Sequence, residues 1–143
     1  MSKRRDDRVA AMQYLYQWSI NEPDSLSKDW VDFLKPLEQE RNYYSFAEEL
    51  VFDAIKHIED VDKVINQYTK NWDFDRIAKV DLAILRLAVY EMLYRRDIPP
   101  VVSINEAIDL SKEYSNQDAK RFINGILDQF KLTLKRPLRS SDI

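Results

Sequence analysis

The sequence contains no cysteine, a single glycine and a single histidine among its 143 residues. Without cysteine there are no disulfides, no thiol nucleophiles and no thiolate-held metal. A zinc site built on His57 alone would need an unusual carboxylate-rich shell, so no metal and no cofactor is expected. Gly125 by itself cannot make a glycine-rich phosphate loop, and no serine stands in a nucleophile signature with the histidine. Carboxylate pairs such as Glu48-Glu49, Asp60 with Asp62 and Asp73 with Asp75 suit the solvated faces of an acidic helical chain. No residue is expected to be catalytic, and the chain is not expected to be an enzyme. No apolar run approaches the ~18 residues of a membrane span, and MSKRRDDRV passes directly from charge into an amphipathic pattern, unlike a secretory signal. The expectation is a soluble protein of a reducing compartment, the cytoplasm, with no membrane partner.

What is present is leucine, alanine, glutamate and lysine, arranged with helical rather than alternating periodicity. The length suits one compact domain that buries roughly two thirds of its extended surface. An all-helical domain is expected. A first helix is predicted from about Asp6 to Ser19 and a short second one from Lys28 to Leu34. Phe46, Leu50, Ala54, Ile58, Val61, Ile65 and Tyr68 predict one long helix from Tyr44 to Tyr68. A turn of helix follows around Phe74 to Ile77, and a further helix carries Val80, Ile84, Leu87, Ala88, Glu91 and Met92. Ile98-Pro99-Pro100 then stops the pattern.

In the stretch SINEAIDLSKEYSNQDAKRFINGILDQF, Ser103 with Glu106 and Ser115 with Asp118 have the spacing of N-terminal capping boxes. Two capped helices so close together are predicted to fold back as an antiparallel pair. Asn105 and Asn124 then become structural polar residues that meet each other or satisfy backbone groups near the turn. Gly125 is expected where another helix approaches closely.

The formal charge of −3 and pI near 5.3 exclude a surface uniformly adapted to phosphate. The charges are segregated, however. Acids dominate from Glu22 to Asp62, while Lys3, Arg4, Arg5 and Arg8 mark one end and Lys131, Lys135, Arg136 and Arg139 the other. Lys120, Arg121 and Phe122 form a second basic cluster, in which the cations could meet phosphate and the ring could stack on an unpaired base. Phe122 also fits the buried stripe, and composition alone favours the core role over ligand contact.

The segments RR, AAMQYLYQW, DLAILRLAVYEMLYRRDIPPVVSINEAIDLSKEY and KRFINGILD resemble the bacterial NusB family of transcription antitermination factors across nearly the whole chain. The resemblance implies seven helices in two packed bundles, forming one RNA- and protein-binding domain over residues 1–143 with a basic N-terminal arm and a flexible C-terminal tail. It implies binding of single-stranded boxA-type RNA together with NusE, a protein of the small ribosomal subunit, within the RNA polymerase antitermination complex that supports processive transcription of ribosomal RNA operons. The family's RNA-binding positions fall on Lys3, Arg4, Arg5, Arg8, Asp118, Lys120, Arg121 and Phe122, and its partner contacts on the helices spanning Arg76 to Tyr94. A homodimer is also compatible with the family. Asp6 and Asp7 depart from the usual basic run and are expected to lower RNA affinity in the absence of the partner; Ser115-Asn116 stands where glycine is common. A NusB-like domain also occurs fused ahead of RNA cytosine methyltransferases, but the sequence holds no glycine-rich cofactor-binding segment and methyl transfer is not expected of it. The alternative is a helical accessory domain that docks a protein partner without specific RNA binding.

Overall fold

The computed structural model describes residues 3–69 and 74–143. Among them are seven α-helices and no strand: α1 (Lys3–Asn21), α2 (Leu26–Leu34), α3 (Ser45–Lys56), α4 (Ile58–Gln67), α5 (Lys79–Tyr94), α6 (Pro100–Tyr114) and α7 (Gln117–Lys131). Short 3₁₀ turns at Lys35–Leu37, Arg41–Tyr44 and Phe74–Arg76 join some of them. The Asn71-Trp72-Asp73 stretch lies outside the described residues.

The central element is α5, where every residue from Asp81 to Met92 is buried. It packs against α1, α3, α4, α6 and α7, so it joins an N-terminal group of helices to a C-terminal one. Its all-round apolar character suits a helix with no solvent face. At the other side of α1, Trp30 is fully buried, edge-on to Tyr14 at 5.2 Å between ring centroids and stacked near Phe33 at 5.5 Å. Its indole N–H donates to Glu48 Oε1 at 2.8 Å, so burying the ring leaves no orphaned donor.

Several elements differ from their sequence pattern. The expected Tyr44–Tyr68 helix is interrupted at His57 (φ −106°, ψ 21°), whose backbone N–H reaches the carbonyls of Asp53 and Ala54. The His57 ring stacks on Tyr94 at 4.0 Å, and the segments on either side of the break, α3 and α4, both pack on α5. The expected capping box at Ser103 is also absent. Helix α6 starts four residues earlier, with Pro99 rather than Ser103 as cap and Pro100 in the first turn, where a missing N–H costs nothing. Ser103 is therefore interior, and its hydroxyl donates to Glu91 Oε1 at 2.8 Å. At α7 the cap is Asn116, whose side chain accepts from Ala119 N–H at 2.8 Å, while Ser115 donates to Asp81.

The segment after α7, expected as a flexible tail, folds back over the end of α5. Arg136 donates to the carbonyls of Met92, Arg95, Arg96 and Ile98, filling acceptors that the helix end leaves open. Leu138 carbonyl accepts from Val101 N–H, and Asp142 pairs with Arg96 at 2.6 Å.

Candidate nucleic-acid interface

The basic residues expected as an arm form the first two turns of α1, and their surroundings divide them. Arg8 lies almost wholly buried and makes a two-pronged ion pair with Glu91, both bonds 2.9 Å. Burial works against its charge, but the hydrogen bond and charge of Glu91 outweigh it and raise the Arg8 pKa. Glu91 is itself completed by Ser103. Arg8 was expected to contact RNA; the structure instead gives it to the core as a tie between α1, α5 and α6. Arg5 bonds Glu106 at 3.1 Å and Asp109 at 2.7 Å on α6, and these hydrogen bonds and charges raise its pKa. Lys3 pairs with Asp7 at 2.6 Å and lies over the Tyr43 ring at 4.2 Å.

Arg4 differs from these neighbours. It is exposed, makes no ion pair among the described residues, and sits 4.1 Å from the centre of the Phe46 ring. A guanidinium held by a cation–π contact keeps its N–H donors available for phosphate. The acids expected to weaken the arm also have structural uses. Asp7 is 1% exposed and accepts from Ala47 N–H in the first turn of α3, capping that helix from another element. Asp6 accepts from the Tyr43 hydroxyl at 3.0 Å.

At the start of α7, Phe122 is half-buried against the core and lines an open apolar groove with Arg76, Ile77, Asp81, Asn116 and Ala119. One part of the ring packs against the core while the groove opens beside it. Asp118 is exposed and lines the same groove, with Arg121 loosely paired to it at 3.6 Å. Lys120 has no ion partner among the described residues. Asn105 and Asn124 do lie close together, lining one cavity between α6 and α7, but neither amide has a hydrogen-bond partner among the described residues. The expected backbone-satisfying role is corrected accordingly. Gly125 is corrected too: it is exposed, and a Cβ there would meet nothing within 4 Å.

The face assigned to a protein partner, Arg76 to Tyr94, is narrowed by the burial of α5. Only its ends reach solvent, at Arg76 and Ala78 to Val80 and, partly, at Leu93 and Tyr94. Sequence reasoning missed Phe46 and the Arg8–Glu91 pair. A signal for the latter existed: Glu91 stands on the apolar stripe of its helix, where a carboxylate requires a buried cation.

The model of the NusB family matches residues 5–131, from the paired part of the basic turns to the end of α7. This chain belongs to the NusB family. Among its relatives, the transcription antitermination protein NusB of Bacillus pumilus is 44% identical, covering 94% of this chain and 98% of its own. That of Methylacidiphilum infernorum is 43% identical, covering 90% of each chain. The crystal structure of T. maritima NusB superposes with a TM-score of 0.81 at 28% identity over 93% of this chain and 92% of its own. A structure of antitermination factors NusB and NusE in complex with dsRNA superposes at 0.83 with 26% identity, covering 94% and 99%. The family's helical fold is thus shared over nearly the full length.

Proposed function

We propose that this chain is a transcription antitermination factor that binds single-stranded boxA-type RNA together with NusE and supports processive transcription of ribosomal RNA operons as part of the RNA polymerase antitermination complex. The observation that carries the reading is family membership over residues 5–131, with relatives of matching length named for antitermination. The solved NusB–NusE–RNA assembly of like fold supports both partners. No described helix is long and apolar enough to cross a membrane, which agrees with a cytoplasmic site of action.

RNA binding rests on Arg4, Lys120, Arg121 and Phe122. Arg4 is held in place by Phe46, the α7 cations stand where helix N–H groups can also face phosphate, and the Phe122 groove offers apolar surface to a base. Lys3 and Arg5 contribute long-range attraction while paired, and Asp118 shapes the rim of the groove. Arg8 holds the scaffold. NusE docks at the solvent-reaching ends of the Arg76–Tyr94 segment.

The test is a titration of boxA-type and scrambled single-stranded RNA, with and without the NusE of the same organism. Tighter binding of boxA-type RNA in the presence of NusE is expected. Binding of NusE with no RNA affinity in either mixture would overturn the reading in favour of a protein-docking domain.

A further inference from the structure

Asn105 is exposed and Asn124 half-buried, neither amide is bonded within the described residues, and Gly125 beside them stands in open space. They occupy one region. The cavity between α6, α7 and the C-terminal segment, about 160 Å³, is lined by Asn105, Asn124, Val101, Ile104, Leu138 and Arg139, together with Pro100 and the Asp128–Lys131 ion pair, in which the lysine offsets the carboxylate. Each asparagine amide carries two donors and an acceptor in one plane. None of these is used within the described residues, although both side chains face the same cavity. Val101, Ile104 and Leu138 supply apolar walls, and Arg139, at the rim, makes no ion pair among the described residues.

We propose that this cavity is a nucleobase subsite in which Asn105 and Asn124 read the hydrogen-bonding edge of one unpaired base of the bound RNA. The inference rests on the RNA-binding reading above and adds a site to it. Planar amides pair two-pronged with a base edge, as asparagine does with adenine. Unpaired RNA is read by this means, with splayed bases bonded along their edges and packed between side chains. Apolar walls with amides at the edge meet both needs.

The surroundings place the cavity on the expected path of the strand. Asn105 stands one helical turn from Asp109, which holds Arg5 at 2.7 Å, so the cavity adjoins the basic turns of α1. On α7, successive residues are about 100° apart around the axis. Gly125 therefore falls between Phe122 on one flank and Asn124 on the other. A strand with one base at the Phe122 groove and another in the cavity crosses α7 where no side chain stands. Exposed Arg121, one turn earlier on that shoulder, is placed to meet its phosphate.

The experiment compares the full chain with Asn105→Ala, Asn124→Ala and Gly125→Ala, measuring thermal unfolding and affinity for boxA-type RNA. The same RNA is also used with one abasic nucleotide placed at each position in turn. Both asparagine variants are expected to unfold at the wild-type temperature and to lose about tenfold in affinity. One abasic position is expected to weaken wild-type binding by the same factor and to have no further effect on either variant, as a shared contact requires. Gly125→Ala is expected to unfold later yet bind RNA more weakly. Wild-type affinity in both asparagine variants, with the wild-type protein binding RNA normally, would overturn the subsite alone. Absence of RNA binding by the wild type would overturn the functional reading together with it.

Discussion

Four basic residues in one short motif look interchangeable as letters and are separated only by what surrounds them. Arg8→Ala leaves Glu91 buried and unpaired, so it is predicted to cost about 3–5 kcal/mol in denaturant unfolding. Arg4→Ala removes an exposed guanidinium from the Phe46 ring, and is predicted to leave unfolding within about 1 kcal/mol while weakening RNA binding. If Arg8→Ala unfolds like the wild type, the buried-tie assignment is wrong. Asp7→Ala removes the cap on α3 and is predicted to cost about 1–2 kcal/mol by the same measurement. The tyrosines give a pH prediction. Burial first, then the hydrogen bonds to Asp29 and Asp53, raises the pKa of Tyr14 and Tyr90 above the usual phenol value. A raised phenol pKa favours the folded state while the unfolded phenol is still protonated. That stability is complete below about pH 10 and is lost as pH rises beyond it. Tyrosinate absorbance is therefore predicted to show these two rings ionising together with alkaline unfolding, and Tyr14→Phe is predicted to move that transition to higher pH.

At the level of helices, periodicity located nearly every element but not its ends. The stripe Phe46, Leu50, Ala54, Ile58, Val61 and Ile65 keeps its spacing through His57, so nothing local announces the break; the packing of two helix segments on α5 decides it. The serine spacings were misleading for a related reason. Ser103 and Ser115 bond carboxylates of α5, a choice made by tertiary neighbours, while Pro100 and Asn116 start the helices. The clustering of Asn105 and Asn124 was legible from the pairing of α6 with α7, whereas their idle amides were not. Gly125 has open space beside it, so alanine there is predicted to stabilise α7 by up to about 1 kcal/mol in thermal or denaturant unfolding. A loss of stability would mean that the glycine serves an internal constraint after all.

For the whole molecule, the all-helical class, the family and the segregation of charge could all be read from the sequence. The division of cations into scaffold and surface could not, because it depends on α1 lying between α3, α5 and α6. An acidic protein that holds RNA through a few surface cations has a defined salt response. With Arg4, Lys120 and Arg121 each meeting one phosphate, a single-strand slope of about −0.7 per phosphate sums to about −2. Affinity for boxA-type RNA is then predicted to fall about twentyfold between about 50 and 200 mM salt. The most direct test is that titration repeated with Arg4→Ala. The variant is predicted to bind more weakly and to shorten the slope by about 0.7, with folding unchanged. A flat response in the wild type, or an unaltered slope and affinity in the variant, would contradict the assignment of Arg4 to the RNA.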